Sequence, residues 1–143
     1  MKQINSAKLA FLSYSANEGF ARSSAASFCA QLDPTLDELG DIKTAVSEAV
    51  TNAIVHAYPD EIGTVWLRAR ILDGEYLEIM VKDRGKGISD IRQAMQPLFT
   101  TGGDDRSGMG FTIMDNFMDK LKVKSVPGRG TSVTLMRRIR KKT

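Results

Sequence analysis

The sequence predicts an α/β two-layer sandwich, with helices on one face of a mixed, mostly antiparallel sheet. Three observations predict it. Two helical patterns each open on a capping-box spacing, two alternating β-rich segments are joined by a tight turn, and a second hairpin lies near the C-terminal end. At 143 residues the chain is one domain long, spanning 1–143, and its 42% apolar and 26% charged content is ordinary for a globular fold.

The elements follow in order. Lys8 to Tyr14 reads as an N-terminal strand, and Ser15-Ala-Asn-Glu18 has the spacing of a capping box. Phe20, Ser24, Phe28 and Leu32 then recur near one helical face, expected inward, until Asp33-Pro34 ends the helix. Thr35-Leu-Asp-Glu38 is a second capping box. It opens the strongest helical pattern, in which Leu36, Leu39, Val46, Ala49, Val50, Ala53 and Ala57 recur at three- and four-residue steps up to Tyr58-Pro59. Gly63 to Leu72 and Glu75 to Lys82 alternate as strands around the turn Asp73-Gly74. Ser89 to Met95 reads as a short helix, and Pro97 to Ser107 as a mobile loop. Gly110 to Lys120 reads as a helix with Ile113, Met114, Phe117 and Met118 inward, and a last hairpin turns at Pro127 to Gly130.

Composition narrows the function. No run approaches the 18 apolar residues of a membrane span, and Met1 to Asn5 does not open a secretory leader, so the expected compartment is the cytoplasm. Cys29 is the only cysteine and His56 the only histidine, which leaves no zinc-ligand set. The net charge of +3 owes much to Arg137, Arg138, Arg140, Lys141 and Lys142. Residues 137–143 therefore read as a solvated basic tail, and no direct nucleic-acid or membrane partner is expected.

The chemistry lies in three segments. Glu48 and Asn52, four apart, lie about 40° apart on one helix face, opposite the core positions. Taken alone, the pair reads better as a solvated helix face, but Val55 shares their side, which is odd for a face open to water. Asp83-Arg-Gly85-Lys-Gly87 follows a strand. It reads as a plain turn, or as a carboxylate that accepts an adenine amino group beside glycines that admit a nucleotide. Arg106-Ser-Gly108-Met-Gly110 sits where a loop becomes a helix, and reads as a plain helix entry with spare glycine or as a place where free backbone N–H groups and the helix dipole attract phosphate. No Gly-Lys-Ser/Thr follows, so it is not a Walker loop.

Together, Glu48 to Asn52, Asp83 to Gly87 and Gly108 to Gly110 resemble the N, G1 and G2 boxes of the Bergerat ATP-binding fold of gyrase, Hsp90, histidine kinases and MutL. The longer strings Ser47 to Tyr58, Pro97 to Thr101 and Arg106 to Asp119 resemble the sporulation anti-sigma-F family. The likeness spans nearly the whole chain. It implies a serine kinase that binds ATP or ADP with Mg²⁺, holds sigma-F inactive and phosphorylates an anti-anti-sigma-F protein. It also implies a homodimer formed through the N-terminal strand region.

By the same resemblance, Asn52 is a metal ligand, Glu48 the general base and Arg106 the γ-phosphate contact. Asp83, Gly85, Gly87, Thr100, Thr101, Ser107, Gly108, Met109, Gly110 and Thr131 line the nucleotide site, and Arg22 contacts partners. His56 is a packing or pocket-wall residue. Residues 97–107 correspond to the ATP lid, which here carries Gly-Gly-Asp-Asp at 102–105 where the family has a longer segment. The rival readings are an anti-sigma-B type stress kinase, a binding-only module with structural nucleotide, and a histidine-kinase or ATPase fragment.

Overall fold

The computed structural model describes residues 1–91 and 110–140. Its five strands are β1 (Gln3–Leu12), β2 (Thr64–Leu72), β3 (Tyr76–Asp83), β4 (Lys120–Val126) and β5 (Gly130–Arg138). They form one sheet in the order β1-β2-β3-β5-β4. The helices are α1 (Asn17–Cys29), α2 (Leu36–Asn52) and α3 (Gly110–Phe117). A 3₁₀ turn follows α1 over Ala30–Leu32, and α2 continues as a π-helical turn over Ala53–Ala57.

Every described ladder is antiparallel, so the sheet is not mixed. Two helices separate β1 from β2, so the chain crosses the domain twice and returns antiparallel. The β2–β3 turn has Asp73 at φ 55° and Gly74 at φ 73°, the two positive values that a tight hairpin with right-handed twist requires.

The core lies between α1, α2, α3 and one face of the sheet. Ile42, Val46 and Val50 of α2 meet Val65, Leu77, Ile79, Val81 and Leu135, with Met114 of α3 closing the layer. The predicted capping box at Thr35 is formed: Glu38 N donates to Thr35 Oγ1 at 3.1 Å and Thr35 N to Glu38 Oε1 at 2.9 Å. Arg140 N adds a 2.7 Å hydrogen bond to Glu38 Oε2, tying the chain beyond β5 to the start of α2. Burial pushes the Glu38 carboxyl up. The donors from Thr35 and Arg140, with the Arg137 charge, outweigh it and hold the group below its ordinary value.

Several local expectations are corrected. The capping box at Ser15 does not form: the N-cap is Ala16, with no side-chain bond. The inward face of α1 is Ala21, Ala25 and Cys29, whose small side chains let the helix approach α2 closely. Phe20 stays 54% exposed, and with the half-buried Phe28 it lines a groove of about 600 Å³ against Leu9 and Leu67. Leu36 is 80% exposed because it is the first residue of its helix, while Glu38 turns inward. Phe117, expected inward, is 37% exposed near the end of α3.

The first two residues of the expected basic tail are strand instead. Arg137 and Arg138 belong to β5, where Arg137 reaches Asp41 at 2.8 Å and Phe117 O at 2.6 Å, and Ile139 is buried behind them. β-Pairing of Arg137 with Leu77 and Arg138 with Tyr76 holds this stretch, and the charges are carried on a ladder. On the sheet face away from the helices, Lys8, Arg68 and Lys122 share one cross-strand row, with Met80 and Thr134 between them.

Candidate functional site

The site is built where the end of α2, the loop after β3 and the start of α3 converge. Gly110 opens α3 directly against α2. A Cβ placed on it would lie 3.2 Å from Asn52 Nδ2, 3.3 Å from Asn52 Oδ1 and 3.3 Å from Glu48 Oε2. The helix face bearing Glu48 and Asn52 is therefore not open solvent but a wall facing the N-terminus of another helix. Asn52 Nδ2 is buried and has no hydrogen-bond partner among the described residues. A buried amide donor without a partner is costly, of the order of 1–3 kcal/mol, and is a mark of a site completed by a ligand.

The second wall is the loop from Asp83 to Ile88. Asp83 is buried, and its Oδ1 accepts from Gly85 N at 2.9 Å and from Thr131 N at 3.2 Å. Burial pushes its carboxyl above the ordinary value, and the two backbone donors only partly offset that. A carboxylate kept in so dry a place, with both of these bonds on one oxygen, is arranged for a polar partner at the other.

Glycines permit the close packing around it. Gly85 lies against the Ala57 carbonyl, and Gly130, at φ 124°, against the Asp83 carbonyl; a Cβ at either position would overlap backbone atoms. Gly87, at φ 76°, meets the Val126 carbonyl in the same way. Hydrogen bonds fix the loop on both sides. Lys86 N donates to Ala57 O at 3.0 Å, Gly128 N to Lys86 O at 2.6 Å, and Ile88 N to Ser125 Oγ at 2.7 Å. Ser125 Oγ lies 2.8 Å from Thr131 Oγ1. Tyr58, just past the π-turn, donates its hydroxyl to Thr64 O and accepts from Arg84 N, both at 2.7 Å. Burial pushes the Tyr58 hydroxyl above its ordinary value, so it stays protonated and able to donate. The Arg84 guanidinium covers the Trp66 ring at 5.1 Å from its centroid.

Three comparisons place this arrangement. The model of the histidine kinase-like ATPase domain matches residues 15–137. The anti-sigma F factor of Caldanaerobacter subterraneus subsp. tengcongensis is 56% identical over 140 residues, 97% of each chain. That of Clostridium kluyveri is 54% identical over 132 residues, 92% of each. The chain belongs to the anti-sigma F factor family.

Solved structures extend the likeness to the fold of more distant proteins. The RsbU and RsbW domains of a Mycobacterium tuberculosis protein superpose with TM-score 0.70 at 18% identity, covering 97% of this chain and 35% of that one. The histidine kinase domain of an Erythrobacter litoralis blue-light activated kinase gives 0.57 at 25% identity, covering 87% and 60%. The chain is thus a kinase-like ATPase domain of a nucleotide-binding family, and the Bergerat-type sandwich expected of it is present. No described helix is long and apolar enough to cross a membrane.

The structure brings Glu48, Asn52 and Gly110 together at one end of the site, and Asp83, Gly85, Gly87 and Thr131 at the other. Thr100, Thr101, Arg106, Ser107, Gly108 and Met109, with the lid at 97–107, lie outside the described residues, as does most of the helix expected at 89–95. His56 lies half-buried within the π-turn. Arg22 is on α1, which contributes none of these residues, half-buried and paired with Glu18 at 3.0 Å. Sequence reasoning missed Tyr58, Ser125 and Gly130 as parts of the site. The first was read only as a helix end and the last as a turn residue; Ser125 carried no signal at all.

Proposed function

We propose that this chain is a Mg-ATP-dependent protein serine kinase that phosphorylates an anti-anti-sigma-F protein and separately holds sigma-F inactive. The observation that carries the kinase reading is the meeting of Glu48, Gly110 at the start of α3 and the Asn52 amide, which has no partner among the described residues. The name shared by the relatives, anti-sigma F factor, supports sigma-F as the inhibited partner.

Adenine is received by Asp83, whose second carboxylate oxygen accepts its amino group, with Thr131 beside it. The backbone N–H groups at the start of α3 face the phosphates, where the helix dipole favours negative charge. Asn52 fits a magnesium site: its terminal amide turns over readily, and a neutral oxygen donor suits a hard cation that keeps several of its waters. Mg²⁺, when bound, neutralises phosphate charge. Glu48 stands next to that position on the same helix face and accepts the proton of the attacking serine hydroxyl. Arg106 stabilises the charge of the transferred group.

The partner surfaces belong to the same proposal. Arg22 contacts sigma-F and the anti-anti-sigma protein in turn. The edge strand β1, with Ile4 and Leu12 exposed, supports a homodimer through this region. A sigma factor and its antagonist as partners support a cytoplasmic location.

The test is direct. The protein is incubated with Mg-ATP and its anti-anti-sigma partner, and phosphoserine is measured, with Glu48→Gln alongside. The variant is expected to bind ATP and transfer nothing; undiminished transfer removes Glu48 from its role. Capture of sigma-F is measured separately with Arg22→Ala, where unchanged capture removes that contact and leaves the kinase reading standing.

A further inference from the structure

The end of α2 does more than carry Asn52. Five and six residues further on, at the last residue of the π-turn and just past it, Ala57 and Tyr58 grip the loop that follows Asp83. Ala57 O accepts from Lys86 N and its carbonyl packs on Gly85, while the Tyr58 hydroxyl accepts from Arg84 N and donates to Thr64 O. Arg84 is the immediate neighbour of Asp83. The Tyr58 ring, in turn, lies on Gly63, where a Cβ would land on ring atoms. The ring therefore has no room to slide, and the hydroxyl has two fixed partners on different strands' ends. A π-turn widens the helix locally and is often found where a side chain must be re-aimed at a functional site.

From this geometry we infer that Tyr58 is a positioning residue for base selection: its hydroxyl fixes Arg84, and through it aims the Asp83 carboxylate at the adenine amino group. The inference rests on the reading of Asp83 as the adenine acceptor. It adds a physical link between the two ends of the pocket, since one helix carries both the Asn52 amide and the clamp on the base loop. A tyrosine that served the core alone satisfies its hydroxyl and stabilises the fold, and its loss weakens every nucleotide equally. A tyrosine that aims Asp83 has a different signature, because its loss weakens only ligands that carry the amino group.

The experiment compares dissociation constants for ATP and for purine riboside triphosphate, which lacks the exocyclic amino group. The proteins are wild type, Asp83→Ala, Tyr58→Phe and the double variant. A hydrogen bond to a buried charge sets the wild-type preference for ATP at roughly tenfold to a hundredfold. Tyr58→Phe is expected to cut that preference by about threefold or more while purine riboside triphosphate binding stays within about twofold, and to add nothing on top of Asp83→Ala. Equal weakening of both ligands, or an intact preference, overturns the inference. An intact preference in Asp83→Ala overturns instead the reading of Asp83 on which it rests. Thermal unfolding is followed for each protein. Should Tyr58→Phe not fold, Gly63→Ala displaces the same ring with its hydroxyl retained, and the same loss of preference is required of it.

Discussion

Replacing Gly110 with alanine separates two effects that usually travel together. Gly110 begins α3 without the positive φ found at Gly74, Gly87, Gly128 and Gly130, so alanine fits its backbone. Such a change restricts the unfolded chain and stabilises by about 0.4–1 kcal/mol. The new methyl, however, stands 3.2 Å from Asn52 Nδ2 and 3.3 Å from both Asn52 Oδ1 and Glu48 Oε2, so these tips must retreat by a few tenths of an ångström. Misplacing reacting groups by 1 Å costs about a hundredfold in rate, so a shift of about a third of that costs about fivefold. The expected result is a melting temperature unchanged or raised by up to about 4 °C, with single-turnover phosphoryl transfer slowed about fivefold. Transfer at the wild-type rate would show that Glu48 and Asn52 do not stand at the reacting centre. A melting point several degrees lower would show that the two side chains have no room to give.

Three further outcomes are expected. Asn52→Ala removes a buried amide donor with no described partner, so stability holds to within about 1 kcal/mol while Mg-ATP affinity, measured by calorimetry, falls at least about tenfold. Glu38→Gln lowers unfolding free energy at pH 7 by about 1–2 kcal/mol, because two backbone donors lose a charged acceptor. The folded carboxyl of Glu38 titrates below 4.5, so its contribution is complete above that value and is lost as pH falls through the folded value; denaturant midpoints of the two proteins should converge there. Asp83 has the opposite sign. Its folded value lies above 3.8, so its contribution is complete below 3.8 and is lost as pH rises through the folded value. Asp83→Asn, which keeps an oxygen for Gly85 N and Thr131 N, is expected to match or exceed wild-type stability at pH 7 and to lose that advantage in acid.

Much of this was legible in the chain itself, for reasons that differ by element. The α2 pattern and its capping box could be read because both are local: Thr35 and Glu38 satisfy one another within a single turn. The Asp73-Gly74 hairpin was equally legible, since few residues tolerate its two positive φ values. The face of α1 was not. Its large residues, Phe20 and Phe28, mark a periodicity, but close approach to α2 selects the alanines beside them, and that preference depends on the neighbour's shape. At the site, Glu48, Asn52 and Asp83 carried a signal in their residue type, and glycines in their spacing. Tyr58 and Ser125 did not, because each acts on backbone groups distant in sequence, Arg84 N for one and Ile88 N for the other. Hydrogen bonds of that kind leave no mark on the residues that supply the N–H.

The stacking of Arg84 on Trp66 equips the protein with an optical probe of its own. Trp66 is the only tryptophan in the chain, so indole emission arises from a single place. That place lies under the side chain next to Asp83, at the Asp83 end of the candidate site and far along the sheet from the β2–β3 turn. Intrinsic fluorescence therefore follows the loop after Asp83 without a label, free of contributions from other indoles. Titrations, stopped-flow traces and quenching by small ions can read changes at this loop in the unmodified protein, and in every variant that leaves Trp66 and Arg84 in place.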